Sequence, residues 1–261
     1  MRYWHLLCLA CFLSVSCNER ETEAPERIVD LSPSITEDLP LRTVGHALLA
    51  GIGARDSTQF EHIEGDESVY YLDSYVTLFN HAGPHADAPI HLIAGGKAID
   101  QLPLTHFFGP ARVLDYRSLA RTDTASLVQV QAHDIQPGEI VILYVGYEVP
   151  RNPDELPVYP VLSPAAAEYL AGLPVKAFAT DGPGVDDAGR LMDLWGQGVT
   201  GLANLLPVHH AFLSLDIPVI EGLTNLQAIL DEDEVVFVGF PLKTAGKAGD
   251  AGVMRAVALV Y

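Results

Sequence analysis

Short apolar runs rich in β-branched residues recur along the chain between glycine, proline and aspartate turn signals. They fall at residues 27–31, 75–79, 111–116, 140–145, 175–179, 217–220, 235–240 and 253–260. Runs this short, bounded by breakers, are the pattern of strands, and at least eight are expected. Helical periodicity is sparser. Residues 163–171 read as a helix, with Ser163 as N-cap, Pro164 in the first turn and Gly172 past the end. Residues 204–215 and, more weakly, 225–230 carry the other two helical patterns. Strands outnumber helices and occur throughout, with no long-period repeat, which predicts one α/β domain with a mixed β-sheet over residues 28–261.

Composition narrows the roles this domain can have. The chain has 261 residues, enough for a substantial core, and carries 15 Lys+Arg against 34 Asp+Glu, a net charge of −19. That balance argues against nucleic acid or an anionic lipid surface as a partner. All three cysteines, Cys8, Cys11 and Cys17, lie in the first 17 residues. The body therefore holds neither a disulfide framework nor a thiolate metal site, and any metal falls to histidine and carboxylate.

The N-terminus reads as an export signal. Arg2 is basic, residues 3–15 are apolar but too short to span a bilayer comfortably, and small Ser16 precedes Cys17. The sequence Leu13-Ser14-Val15-Ser16-Cys17 resembles a bacterial lipobox, with the leucine one place too far upstream. Residues 1–16 are expected to be a signal peptide, and residues 17–27 a lipidated cysteine with a polar tether; a plain cleaved signal is the alternative. On that expectation the protein is exported, and a lipid anchor is its one contact with a membrane. Asn18, rather than Asp, after the cysteine points to the outer membrane in a Gram-negative host.

The chemistry concentrates at residues 81–92, His-Ala-Gly-Pro-His-Ala-Asp-Ala-Pro-Ile-His-Leu. His81, His85, Asp87 and His91 place three imidazoles and a carboxylate on a stretch stiffened by glycine and proline. Such donors suit Zn²⁺ or Mn²⁺. On an extended strand His85 and Asp87 face the same side, and Gly83-Pro84 can turn the chain so that His81 joins them. Other schemes fail: there is no Gly-x-Ser-x-Gly elbow and no His-Glu-x-x-His, and Gly95-Gly96-Lys97 is followed by Ala98 instead of a phosphate-binding continuation.

This segment resembles the H-x-G-T-H-x-D-x-P-x-H signature of the cyclase family of metal-dependent hydrolases, which includes kynurenine formamidases and isatin hydrolases. His81, Gly83, His85, Asp87, Pro89 and His91 match it; Pro84 stands where the family has threonine. The resemblance continues through Ile28-Val29-Asp30-Leu31-Ser32, Gly109-Pro110-Ala111-Arg112-Val113-Leu114-Asp115, Gln136-Pro137-Gly138-Glu139, the pair His209 and Glu221, and the closing Pro241-Leu242-Lys243 and Arg255-Ala256-Val257-Ala258. Two further departures are Gly184 for a usual serine and Val145-Gly146-Tyr147 for Thr-Gly-Trp.

The resemblance implies a swivelling β/β/α fold and a homodimer or homotetramer. It also implies one or two divalent ions per subunit. His81, His85 and Asp87 would hold the first, Asp87 would bridge, and His209 and Glu221 would complete the second. His91 would be the general acid/base, with direct ligation as its alternative. Read on their own, His209 follows Pro207 near a helix start, with His210 beside it equally placed to point inward. Glu221 ends an apolar strand, where a carboxylate is costly to bury unpaired. The implied activity is hydrolysis of a carbon–nitrogen amide bond, as in an arylformamidase acting on N-formylkynurenine. A cyclic amide or imide such as isatin, or a lactone, is the alternative substrate. A non-catalytic, surface-tethered binding protein on the same fold is the alternative of another class.

Overall fold

The computed structural model describes residues 24–36, 58–65, 70–148 and 156–261. The expected signal peptide, residues 1–16, and Cys17 lie outside the described residues, as does the expected 17–27 tether up to residue 23; Arg27, the last residue of that tether, opens the first strand. Among the described residues no helix is long and apolar enough to cross a membrane.

The strands are β1 (Arg27–Asp30), β2 (Gln59–Glu64), β3 (Leu72–Thr77), β4 (His85–Asp87), β5 (Phe108–Asp115), β6 (Thr124–Ala125), β7 (Ile140–Tyr144), β8 (Val161–Leu162), β9 (Ala177–Thr180), β10 (Val219–Glu221), β11 (Val235–Val238), β12 (Ala251–Val253) and β13 (Val257–Val260). The helices are α1 (Leu127–Gln131), α2 (Pro164–Ala171), α3 (Ala188–Gly196), α4 (Leu202–Leu205) and α5 (Pro207–Leu213). Nine strands form one sheet in the order β1-β13-β11-β5-β7-β9-β10-β4-β12. Its middle, β5-β7-β9-β10, is parallel, and the strands on either side run antiparallel. The expectation of one α/β domain with a mixed sheet therefore holds.

The sheet is strongly curled. β12 and β13 sit near opposite ends of the strand order, yet only residues 254–256 join them. So short a link spans roughly 14 Å at most, which brings the two ends of the sheet together. The interior agrees: Val29 of β1 and Ala86 of β4 share one buried cluster with Ile140, Ile142, Ile220, Phe237 and Ala258. The outer face of β7 and β9 presents Val141, Leu143 and Phe178 to α2 and α5, where Phe178 stacks on Phe212 with ring centroids 4.6 Å apart. Strands buried on both faces are continuous apolar runs, which is why residues 140–145 and 175–179 were readable in the sequence.

Ser163 caps α2 as expected, its hydroxyl accepting from the Ala166 amide at 3.3 Å. Two expected segments are divided instead. Residues 204–215 form α4 and α5, because Pro207 cannot donate to the preceding turn and so opens a new helix. The run 253–260 is the end of β12, a connection and β13, since its two halves pair with different edges of the sheet. Residues 225–230 form a 3₁₀ turn, Leu226–Ile229, rather than an α-helix.

Candidate metal centre

Local backbone geometry gathers the motif. Gly83, at φ +58°, turns the chain into β4, and its carbonyl accepts a hydrogen bond from His85 Nδ1 at 2.9 Å. Gly222 lies against this turn: a Cβ there would come within 2.8 Å of the Gly83 oxygen. That close approach seats the end of β10 beside the start of β4, with Glu221 opposite His85 and Val219 opposite Asp87. After β4, Pro89 opens a 3₁₀ turn, Pro89–His91, which folds His91 back to 4.5 Å from His81 between ring centroids.

His209 arrives from the other side. It lies in the first turn of α5, where the Asp186 carboxylate accepts from the Val208 amide (2.9 Å), the His209 amide (3.1 Å) and His209 Nδ1 (2.7 Å). One buried carboxylate thus caps the helix and fixes the imidazole, leaving Nε2 aimed inward. His209 is the buried member of its pair, while His210 is only partly buried.

All six residues named from the sequence converge. His81, His85, Asp87, His209 and Glu221 are buried, and His91 is half-buried. Asp87 and Glu221 each divide their oxygens between two imidazoles. Asp87 Oδ1 lies 3.4 Å from His85 Nε2, and Oδ2 lies 3.4 Å from His209 Nε2. Glu221 Oε2 lies 3.4 Å from His85 Nε2, and Oε1 lies 3.2 Å from His209 Nε2. His81 Nδ1 is 2.9 Å from Asp87 Oδ1, and His91 Nε2 is 3.9 Å from Asp87 Oδ2. Among the described residues, two triads have all their donor atoms within 4.8 Å of one another, His81–Asp87–His91 and His85–Asp87–Glu221, with Asp87 common to both.

These atoms point at shared space rather than at one another. His85 Nε2, Asp87 Oδ1 and Glu221 Oε1 are buried yet make no hydrogen bond of acceptable geometry. Buried polar atoms left this way are costly, and a divalent cation among nitrogen and carboxylate donors satisfies them together. The electrostatics ask for the same positive charge. Burial lowers the pKa of His81 and His85, but the surrounding carboxylates outweigh it and raise them to about 8 and about 10. Burial raises Glu221, yet the His209 and His85 imidazoles bring it down to about 2. The residues present therefore fit a divalent metal.

Comparison with known proteins places the chain. The Cyclase family profile matches residues 29–187, more than half of the sequence. A kynurenine formamidase from Salinibacter ruber is 34% identical over 194 residues, spanning 74% of this chain and 81% of that protein. The chain belongs to the cyclase family. Among solved structures of cyclase-family fold, an isatin hydrolase bound to the product analogue thioisatinate superposes with a TM-score of 0.72 at 21% identity, covering 89% of this chain and 92% of that one. Isatin hydrolase A from Ralstonia solanacearum gives 0.70 at 22% identity, covering 90% and 92%.

Two acidic residues of this cyclase-family chain were not singled out by the sequence. Asp186 is one; the other is Asp250, whose Oδ2 lies 3.4 Å from His81 Nε2 and 3.8 Å from His91 Nδ1. A faint signal existed for Asp186, which ends the glycine-rich stretch containing Gly184. The departures from the family pattern sit close by. Pro84 lines a cleft of about 680 Å³ together with Phe240, Leu242, Lys243 and Met254. Tyr147 packs edge-on against Tyr159, whose hydroxyl donates to the Asp186 carbonyl at 3.2 Å.

Proposed function

We propose that the protein is a metal-dependent hydrolase of a carbon–nitrogen amide bond, of arylformamidase type. The observation that carries this reading is the pair of buried carboxylates, Asp87 and Glu221, each presenting one oxygen beside His85 and the other beside His209. A divalent ion held there supplies a Lewis acid that polarises the amide carbonyl and acidifies water. His81, His85, Asp87, His209 and Glu221 would hold one or two ions of Zn²⁺ or Mn²⁺, with Asp87 common to both donor groups. His91, the least buried imidazole of the centre, would take a proton from water and return it to the leaving nitrogen. The Salinibacter ruber relative is a kynurenine formamidase, which makes an N-aryl formamide the first substrate to try.

The test is a panel assay on full-length protein loaded with Zn²⁺ or Mn²⁺, using N-formylkynurenine, a simple aryl formamide, isatin and an aryl lactone. Turnover of a formamide, abolished by a chelator and restored by metal, is expected. Metal-dependent turnover confined to isatin or the lactone moves the substrate assignment to a ring, and bound metal with no turnover on any member supports a binding protein instead.

Two further parts of the reading concern the whole molecule. The hairpin of β2 and β3 is exposed along both strands, with Tyr75 67% and Val76 54% accessible, and two-stranded hairpins are marginal alone. A homodimer or homotetramer that covers it is the proposed assembly, checked by light scattering. Residues 1–17 support an exported lipoprotein, for which Cys17→Ser should release soluble, active enzyme.

A further inference from the structure

Each imidazole of the centre has an outer partner for the nitrogen that points away from it. Gly83 supplies a carbonyl to His85, and Asp186 a carboxylate to His209. His81 and His91 share theirs. Asp250 Oδ2 lies 3.4 Å from His81 Nε2 and 3.8 Å from His91 Nδ1, between rings whose centroids are 4.5 Å apart.

The position of Asp250 is built into the fold. It follows the 3₁₀ turn Gly246–Gly249 and immediately precedes β12, whose first residue, Ala251, pairs with Asp87. Its carbonyl accepts from the Ala88 amide at 2.8 Å, which ties it to the residue after β4. Its second oxygen, Oδ1, accepts from Asn80 Nδ2 at 3.0 Å, and that amide also donates to the Ala248 carbonyl at 3.0 Å. Asn80 thus orients the carboxylate so that Oδ2 faces the two rings.

An ionised carboxylate only accepts hydrogen bonds, so the imidazole nitrogens facing it carry the hydrogens. Once a metal ion takes the place of the second proton and the rings are neutral, the opposite nitrogens, His81 Nδ1 and His91 Nε2, are left with the lone pairs, and both face Asp87, at 2.9 and 3.9 Å. A lone pair directed inward is what a metal ligand needs and what a general base needs.

We propose that Asp250 is a positioning residue that sets the tautomer and ring orientation of His81 and His91 together, one oxygen serving a metal ligand and the proton carrier. The assignment of roles to the two rings rests on the hydrolase reading; the tautomer does not. The 3.8 Å separation from His91 is beyond a formed hydrogen bond, so Asp250 bonds His81 and acts on the His91 ring through its charge.

The experiment compares wild type with Asp250→Ala and the isosteric Asp250→Asn, all full-length. Long-range ¹H–¹⁵N imidazole spectra of the Zn²⁺-loaded proteins read the tautomers, titration with Zn²⁺ reads affinity, and formamide turnover reads kcat and KM. In wild type His91 should be the Nδ1–H tautomer, and Asp250→Ala should lose that preference. Zinc affinity should fall about 10-fold or more through His81, and kcat about 10- to 100-fold with KM nearly unchanged. Asp250→Asn, which keeps the shape and one accepting oxygen, should fall between the two and guards against a folding defect in the alanine variant. Unchanged His91 tautomer and zinc affinity in both variants would overturn the proposal. The spectra and the titration remain readable if no substrate in the panel is turned over, so failure of the hydrolase reading is distinguishable from failure of this one.

Discussion

Glu221 and His85 face each other across the β10–β4 ladder, with His85 Nε2 3.4 Å from Glu221 Oε2. The register depends on small residues: Ala86 and Ala88 flank Asp87, and Gly222 abuts Gly83 where a side chain has no room. β4 is therefore a thin strand wedged between β10 and β12, and its inward side chains meet groups from both neighbours. Strand pairing supplies the His85–Glu221 contact, while α5 supplies His209 from outside the sheet. The centre is thus assembled from three separate stretches of chain, and a change in any one of them should affect metal binding.

Asp87 is the residue common to both donor triads, so its removal has the broadest expected effect. Asp87→Ala should abolish bound metal and turnover together, read by elemental analysis and by formamide hydrolysis. A folded variant with full metal content would show that Asp87 is not a ligand.

His91→Ala should give the opposite split. The imidazole is the most exposed of the centre, and although its donor atom groups with those of His81 and Asp87, Asp87 also groups with His85 and Glu221 without it. Metal content should stay near wild type, while turnover drops by about 10²-fold or more, the usual weight of a positioned acid/base. Metal loss as deep as in Asp87→Ala would make His91 a ligand.

The motif was legible because its six matching residues lie within a short strand and the two turns that flank it, and strand spacing puts His85 and Asp87 on one face. His209 and Glu221 were legible through the family resemblance, but from the residues themselves the choice between His209 and His210 was not. That choice depends on Asp186, which reaches α5 from another segment and anchors one of the two. Asp250 had no local mark at all, being a lone acid in a glycine-rich turn brought in by the β12–β4 pairing. Two helices were missed for different reasons. α1 is short but carries a Ser126-x-x-Gln129 capping box that was there to be read. α3 is capped by Asp187, whose carboxylate accepts from the Arg190 amide, and its glycines diluted the helical signal.

Asp186→Asn tests whether the outer carboxylate matters beyond packing. The amide keeps an oxygen for the α5 backbone but cannot accept from all three donors that Asp186 satisfies. A buried donor left unpaired costs about 1–3 kcal/mol, so Tm should fall. Metal affinity should also fall, by about 10-fold or more, as His209 loses its orientation. A lower Tm with unaltered affinity would limit Asp186 to capping the helix.

The last expectation concerns pH, and its sign follows from the imidazoles. His81 and His85 have folded pKa values of about 8 and about 10 against an ordinary 6.5, because the neighbouring carboxylates outweigh burial. The metal-free protein gains this stabilisation in full below pH 6.5, where both rings are charged, and loses it as pH rises through 8 towards 10. Glu221, held near 2 against an ordinary 4.5, contributes above pH 4.5 and is lost only as pH falls towards 2. A bound divalent ion replaces those protons, since an imidazole ligand is neutral, so metal binding strengthens with pH and releases protons. Thermal melts of chelator-treated protein should therefore show Tm falling between pH 6 and pH 9, with the metal-loaded protein holding its Tm across the same interval. A metal-free Tm that is flat or rises over that range would mean the carboxylates do not hold these imidazoles charged, and the case for a missing positive charge at the centre would then rest on the buried, unpaired donor atoms alone.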